Sequence, residues 1–248
     1  PYTTLVRSSA AVILSATDRV VVGIGLLPMP LRNVAITAME IATLERMFPG
    51  RLRVAVGHGV QPWMEQVGAK APSPLGLARE YLVALRRLLA GEEVTVDGNY
   101  VTLDAVRLGW PPLTRVPVLL GAIGPKSLAL AGESADGLLL DADFTVDGAR
   151  EAVTACLAAR RAVGIDVAFE TVAYQRFYRG PDAQAKLARE TRPGGLDAAL
   201  AGSAAEVAER VRAMGSAGVE TLVLMPSSTE ADPADYLRFA ATEVAPLV

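Results

Sequence analysis

The run Val54-Ala55-Val56 ends in Gly57-His58-Gly59, two glycines around the single histidine of the 248-residue chain. Glycine carries no Cβ, so a flat or phosphorylated group can approach such a backbone closely. An imidazole titrates near ~6.5 and can donate, accept or transfer a proton. A second stretch of the same design, Val116 to Pro125, sets Gly121-Ala122-Ile123-Gly124 between an apolar strand and a helix start. Backbone N–H groups at a helix start bind anions, helped by the helix dipole, and Lys126 adds a positive charge. Ser127 is read as support for that start. From the residues alone an ordinary strand-to-helix turn is an equal alternative, and a lone histidine is more often structural or solvated. Gln61, Trp63 and Met64 follow in a segment too apolar for a plain linker, which reads as a lid or substrate wall, or as packing against the next helix.

Other chemistry-bearing residues carry blander readings. Glu133 and Asp136 look like a carboxylate pair but lie at the N-terminal end of a strand, where a barrel keeps stability residues. Arg86, Arg87 and Glu80 read as solvated helix charges, and Met39, Glu40 and Leu44 as one packing face, core or oligomer contact. Cys156 reads as a core thiol. With one cysteine and one histidine, no disulfide framework and no metal site is expected.

These residues need elements to hold them. Apolar runs closed by Gly, Pro or Asp mark six strands at 20–25, 52–57, 116–121, 137–140, 167–177 and 221–225. Helical stretches alternate with them at 33–48, 75–90, 125–134, 146–163, 203–217 and 233–248. Asn33 caps the first helix, Gly91 ends the second, and Ser203 with Glu206 forms a capping box. Strands apolar on both faces imply a parallel sheet covered by helices, hence the α/β class. Residues 93–107 alternate at period two around Asp97-Gly98 and read as a hairpin insertion. Residues 181–195 read as a long variable loop or small insert. The whole is expected to be a single (β/α) barrel domain. A (β/α)₈ TIM barrel needs eight strands. Since the numbering opens at Pro1 with one helix before the first strand, the first two strand-helix units, roughly 50 residues, are expected to fall outside it. An open six-stranded sheet is the alternative.

Composition narrows the partners. The apolar fraction is 51% and the formal charge −3, with acids and bases interleaved, so there is no basic stripe for nucleic acid. No apolar run reaches the ~18 residues of a membrane span. A cytoplasmic protein acting on a small molecule is the expectation.

Four segments resemble the bacterial luciferase-like monooxygenase superfamily, in its branch using the deazaflavin coenzyme F420. They are VVGIG at 21–25, MEIATLERMFPGRLRVAVGHG at 39–59, REYLVALRRLLAGE at 79–92 and PVLLGAIGPKSLALAGESADGLLL at 117–140. The resemblance implies a TIM barrel with insertions, a homodimer, and an oxidoreductase passing a hydride between F420 and a small organic substrate. It implies a bulge at Gly25-Leu26, with a non-proline cis peptide in many members, that presses on the cofactor ring. Gly57, His58 and Gly59 would complete the ring site, with His58 as acid, base or hydrogen-bond partner. Gly121, Ala122, Ile123, Gly124, Pro125 and Lys126 would hold the phosphate, and Gln61, Trp63 and Met64 the substrate. Two departures stand out. Many relatives have Arg-His-Pro where this chain has Arg32-Asn33-Val34, and some place a Glu where Val60 and Gln61 stand. An FMN-dependent monooxygenase and a non-catalytic flavin-binding relative are the alternatives.

Overall fold

The structure is a computed structural model describing residues 6–180, 182–190, 198–228, 230 and 232–248. The chain divides into two compact units, Pro1–Leu138 and Leu139–Val248.

The first unit opens with α1 (Val6–Ser15), β1 (Val22–Pro28), α2 (Val34–Met47), β2 (Leu52–Gly57), α3 (Gln61–Gln66) and α4 (Pro74–Leu89). The hairpin β3 (Val94–Asp97) and β4 (Thr102–Val106), then β5 (Val118–Gly121) and α5 (Pro125–Ser134), complete it, and β6 (Gly137–Leu140) runs across the boundary. β2 lies between β1 and β5, parallel to both, in register Val22↔Leu52 and Val54↔Val118. Leu52, Val54, Val56, Val118 and Leu120 are fully buried, because β2 and β5 are covered on both faces. Ala38, Ile41, Leu82 and Leu85 supply the helix side of this core, each burial of a large side chain contributing about 2 kcal/mol. Asn33 caps α2 by accepting from the amides of Ala35 and Ile36, and Gly91 follows α4 in the left-handed conformation at φ 80°. Arg51 donates to the carbonyls of Leu14, Thr17 and Val20, which satisfies the C-terminal end of α1.

The structure departs from several expectations. β1 does not stop at Gly25 but continues to Pro28, through a register break between Ile24 and Leu27. The hairpin turns over residues 98–101, with Gly98 N–H donating to Val101 O at 3.0 Å, rather than tightly at Asp97-Gly98. The reason is Glu80, whose carboxylate accepts from the amides of Asn99, Tyr100 and Val101 at 3.2, 2.8 and 3.0 Å. Burial raises the pKa of Glu80, but the three amides outweigh it and hold the carboxyl below its ordinary range. Glu80 is thus a clamp from α4 onto the hairpin, not a solvated charge.

Arg86, though partly exposed, is not a free charge either. It donates to Ser134 O at 2.8 Å and to Asp136 at 2.9 Å, and buried Asp136 also accepts from Arg115 and from the Val118 amide. Asp136 therefore ties α4 to the start of β5, and Glu133 pairs with Arg79 at 3.4 Å. Arg87 is exposed to about the same extent as Arg86 and pairs with Glu92. On α2 the packing face is Val34, Ala38, Ile41 and Leu44; Met39 points away and is 55% exposed, while Glu40 pairs with Arg32. A step of 100° per residue separates Met39 from Leu44's face.

The second unit contains α6 (Val146–Ala162), β7 (Glu170–Tyr178), α7 (Ala183–Glu190), β8 (Leu200–Ala201), α8 (Ala204–Ser216), β9 (Thr221–Met225) and α9 (Pro233–Phe239). β7 pairs in parallel with β9 and with β8. Phe177, Val207, Ala208, Tyr236 and Val244 form its core, with Phe239 stacked on Phe177 at 5.5 Å. Ser203 and Glu206 make the capping box of α8, and Cys156 is buried. The segment expected as a long loop or small insert holds α7; residues 181 and 191–195 of that expectation lie outside the described residues. Among the described residues no helix is long and apolar enough to cross a membrane, and no three His, Cys, Asp or Glu are grouped to hold a metal.

Candidate functional site

Three neighbouring strands of the first unit, β1, β2 and β5, bring their C-terminal ends together. In an α/β barrel that is the end that carries the active site. Gly25 and Leu26 are joined by a non-proline cis peptide bond at the bulge of β1. The Leu26 side chain reaches across to both glycine strand ends. Its Cδ2 lies 2.6 Å from where a Cβ of Gly57 would stand and 2.5 Å from where one of Gly121 would stand. The space left by these two glycines is therefore filled from within the chain.

The histidine turn is held from α3, a helix where the sequence suggests only a loop. Gln61 donates from Nε2 to the carbonyls of His58 and Gly59 at 3.2 and 3.4 Å. Gly59 adopts φ 69°, and a Cβ there would meet the Met64 sulfur at 2.9 Å. Met64 is 2% exposed, so it supports the turn from below, whereas Trp63 on the same short helix is half-buried. His58 is half-buried, and its Nδ1 is buried without a hydrogen-bond partner. Burial pushes the imidazole below its ordinary pKa and outweighs the Pro74 carbonyl acting the other way, so the ring is neutral at neutral pH.

The glycine-rich turn after β5 is open. Ala122 is buried, Ile123 is exposed at 66%, and Pro125 and Lys126 face solvent. Gly124 caps α5 in extended conformation without a side chain, and the nearest atom to a Cβ placed there would be Ser127 Oγ at 4.0 Å. Ser127 hydroxyl donates to Gly124 O at 2.9 Å, as a support for the helix start. Asn33 is taken up by its capping bonds to the amides of Ala35 and Ile36.

The second unit has a polar group that the sequence motifs do not single out. Arg176, on β7, pairs with Asp143, which follows β6. Tyr174, two residues earlier on β7, has its pKa raised by burial and then by the charge of Asp141. A signal for this group exists: Tyr174, Gln175 and Arg176 interrupt an apolar run, and two aspartates follow closely on Leu140.

A profile of the luciferase-like monooxygenase family matches residues 7–192. Among curated proteins, the chain is similar to the 5,10-methylenetetrahydromethanopterin reductase of Methanolobus tindarius, 35% identical over 167 residues, 66% of this chain and 51% of that protein. It is also similar to the F420-dependent glucose-6-phosphate dehydrogenase of Microbacterium testaceum, 32% identical over 127 residues, 50% of this chain and 38% of that protein. The match thus spans about half the length of the first relative and less of the second. Among solved structures, an F420-dependent secondary alcohol dehydrogenase in complex with an F420-acetone adduct superposes with a TM-score of 0.85 at 23% identity, over 99% of this chain and 83% of that one. That likeness establishes the fold. With the profile covering most of its length, the chain belongs to the luciferase-like monooxygenase family and has its α/β barrel type of fold.

Proposed function

We propose that the protein is an oxidoreductase that uses coenzyme F420 to exchange a hydride with a small organic substrate. The observation that carries this reading is the convergence of Leu26, Gly57 and Gly121 into one apolar floor beside an open glycine turn at a helix start. A flat ring with an anionic tail needs those two features together. Names of the relatives support the same cofactor: one curated dehydrogenase and one solved dehydrogenase are F420-dependent.

When bound, F420 would supply a two-electron hydride carrier, and the protein's own share is orientation and electrostatics. Gly25, Leu26, Gly57 and Gly59 would support the ring, and Gly121 to Lys126 the phosphate. His58, half-buried and with its pKa lowered by burial, suits a hydrogen bond to ring or substrate from the exposed part of its imidazole. Gln61 fixes the His58 carbonyl, and Trp63 is the α3 side chain placed to border a substrate. Homodimer formation belongs to this reading, supported by Ile36, Met39 and Met47, exposed along one stripe of α2. So does a cytoplasmic setting, in keeping with a single buried cysteine.

The family's name favours a second reading, an FMN-dependent monooxygenase, because the same turn serves either phosphate. Equilibrium binding of F420 and FMN, followed by fluorescence, separates the two, with Gly124→Asp as the control. An aspartate at this N-cap position has room and caps α5, so folding stability is kept, while its charge opposes phosphate. Micromolar F420 binding, lost in Gly124→Asp without loss of melting temperature, is the expected result. Preference for FMN with consumption of oxygen would replace this reading by the monooxygenase, and binding of neither would overturn both.

A further inference from the structure

We propose that Gly57 and Gly121 are glycines for the sake of Leu26: together they form the seat that holds its side chain down at the floor of the ring site. The ligand part of this inference rests on the F420 reading; the packing part does not.

One methyl group, Cδ2 of Leu26, stands 2.6 and 2.5 Å from the Cβ positions of two glycines on different strands. Real Cβ contacts essentially never fall below 3.0 Å, so neither position accepts a side chain while Leu26 stays in place. The register explains the coincidence. Val56 pairs with Leu120, so Gly57 and Gly121 follow side by side, and they form one notch across two strands. The break between Ile24 and Leu27 lets β1 send Leu26 over that notch. Other glycines of this unit behave differently. Gly23 has open space, Gly124 nearly so, and Gly59 faces Met64 instead.

The consequence concerns shape. Seated in the notch, the branched side chain fills the volume that a Cβ of Gly57 or Gly121 would take. A methyl at residue 57 or 121 would lift Leu26 out, and because Leu26 is only half-buried, the displaced group would move to its exposed side. The glycines would then keep the ring site open indirectly. This differs from the ordinary role, in which glycine simply lets a ligand approach the backbone.

The test is a pair of double-mutant cycles on the full chain: Gly57→Ala and Gly121→Ala, each alone and combined with Leu26→Ala. Melting temperature without cofactor and the F420 dissociation constant by fluorescence are both read. Each glycine substitution alone should lower the melting temperature and weaken F420 at least ~10-fold. Adding Leu26→Ala should restore the melting temperature to that of Leu26→Ala alone and bring the dissociation constant within about threefold of it. A glycine variant that fails to fold alone but folds with Leu26→Ala supports the inference equally. Additive melting-temperature losses, or F420 affinity that stays low when Leu26 is shortened, would overturn it. If the unaltered chain binds no F420, the F420 reading fails, and the melting-temperature cycle still decides whether Leu26 occupies the notch.

Discussion

The ends of β1, β2 and β5 meet through a leucine methyl and two glycines, whereas the second unit secures its strand ends with ions and hydrogen bonds. There Arg176 pairs with Asp143, Arg179 follows β7 and bonds Asp235 at 2.8 Å with Glu230 at 3.6 Å, and Glu190 accepts from Ser227 hydroxyl and the Ser228 amide. The two regions therefore fail in different ways. Contact between closed shells is steep in distance and indifferent to salt. Ion pairs tolerate small displacements but weaken with salt and with protonation. A surface meant for a ring gains from the first kind of construction, since no charge has to be desolvated when a flat apolar group arrives.

The largest effect should come from overfilling the notch. Gly121→Val puts branched carbon where Leu26 already lies, and should cost about 2 to 3 kcal/mol by urea denaturation, equally at low and high salt. A loss under ~0.5 kcal/mol would erase the contrast between the regions. Removing charge in the second unit should cost less. Arg176→Met leaves Asp143 without its guanidinium, and because both are partly exposed the loss should be about 1 to 2 kcal/mol, smaller still in high salt. A salt-independent loss would mean that the pair acts by packing.

The smallest effect is one of pH. His58 is held below its unfolded pKa by burial, so the folded state favours the neutral ring. Its contribution is whole above the unfolded value of ~6.5 and is lost as pH falls through the lower folded value. Melting temperature should accordingly drop as pH falls from about 7.5 to about 5.5, and His58→Gln should flatten that drop. An equal drop in the variant would assign the acid sensitivity to other groups. Glu80 and Glu190, also held low, lose their bonds only in the carboxylate range further down.

Much of the fold was legible in the chain. β2, β6 and β9 occupy the residues expected for them, since short apolar runs closed by breakers have few other uses in an α/β protein. Asn33, Gly91 and Ser203 act where expected because capping depends on neighbours within four residues. β8 was not legible, as two residues cannot show a period, and neither was α7 in a stretch of mixed polarity. At the candidate site, the glycines and the lone histidine stand out in the chain itself, and the bulge at Gly25-Leu26 follows from resemblance to relatives.

Sequence by itself determined which positions lack a Cβ, which strands are buried on both faces and where helices start. Those follow from local chemistry and from the period of apolar residues. Tertiary structure alone decided what occupies the space at Gly57 and Gly121, that Glu80 clamps a hairpin, that Asp136 gathers two arginines and an amide, and that Met64 lies beneath Gly59. Each of these joins residues that are distant along the chain or turned toward one another by a bulge or a helix. Composition and spacing carry no record of such a meeting, because which side chain fills a gap depends on strand register and on which elements lie side by side.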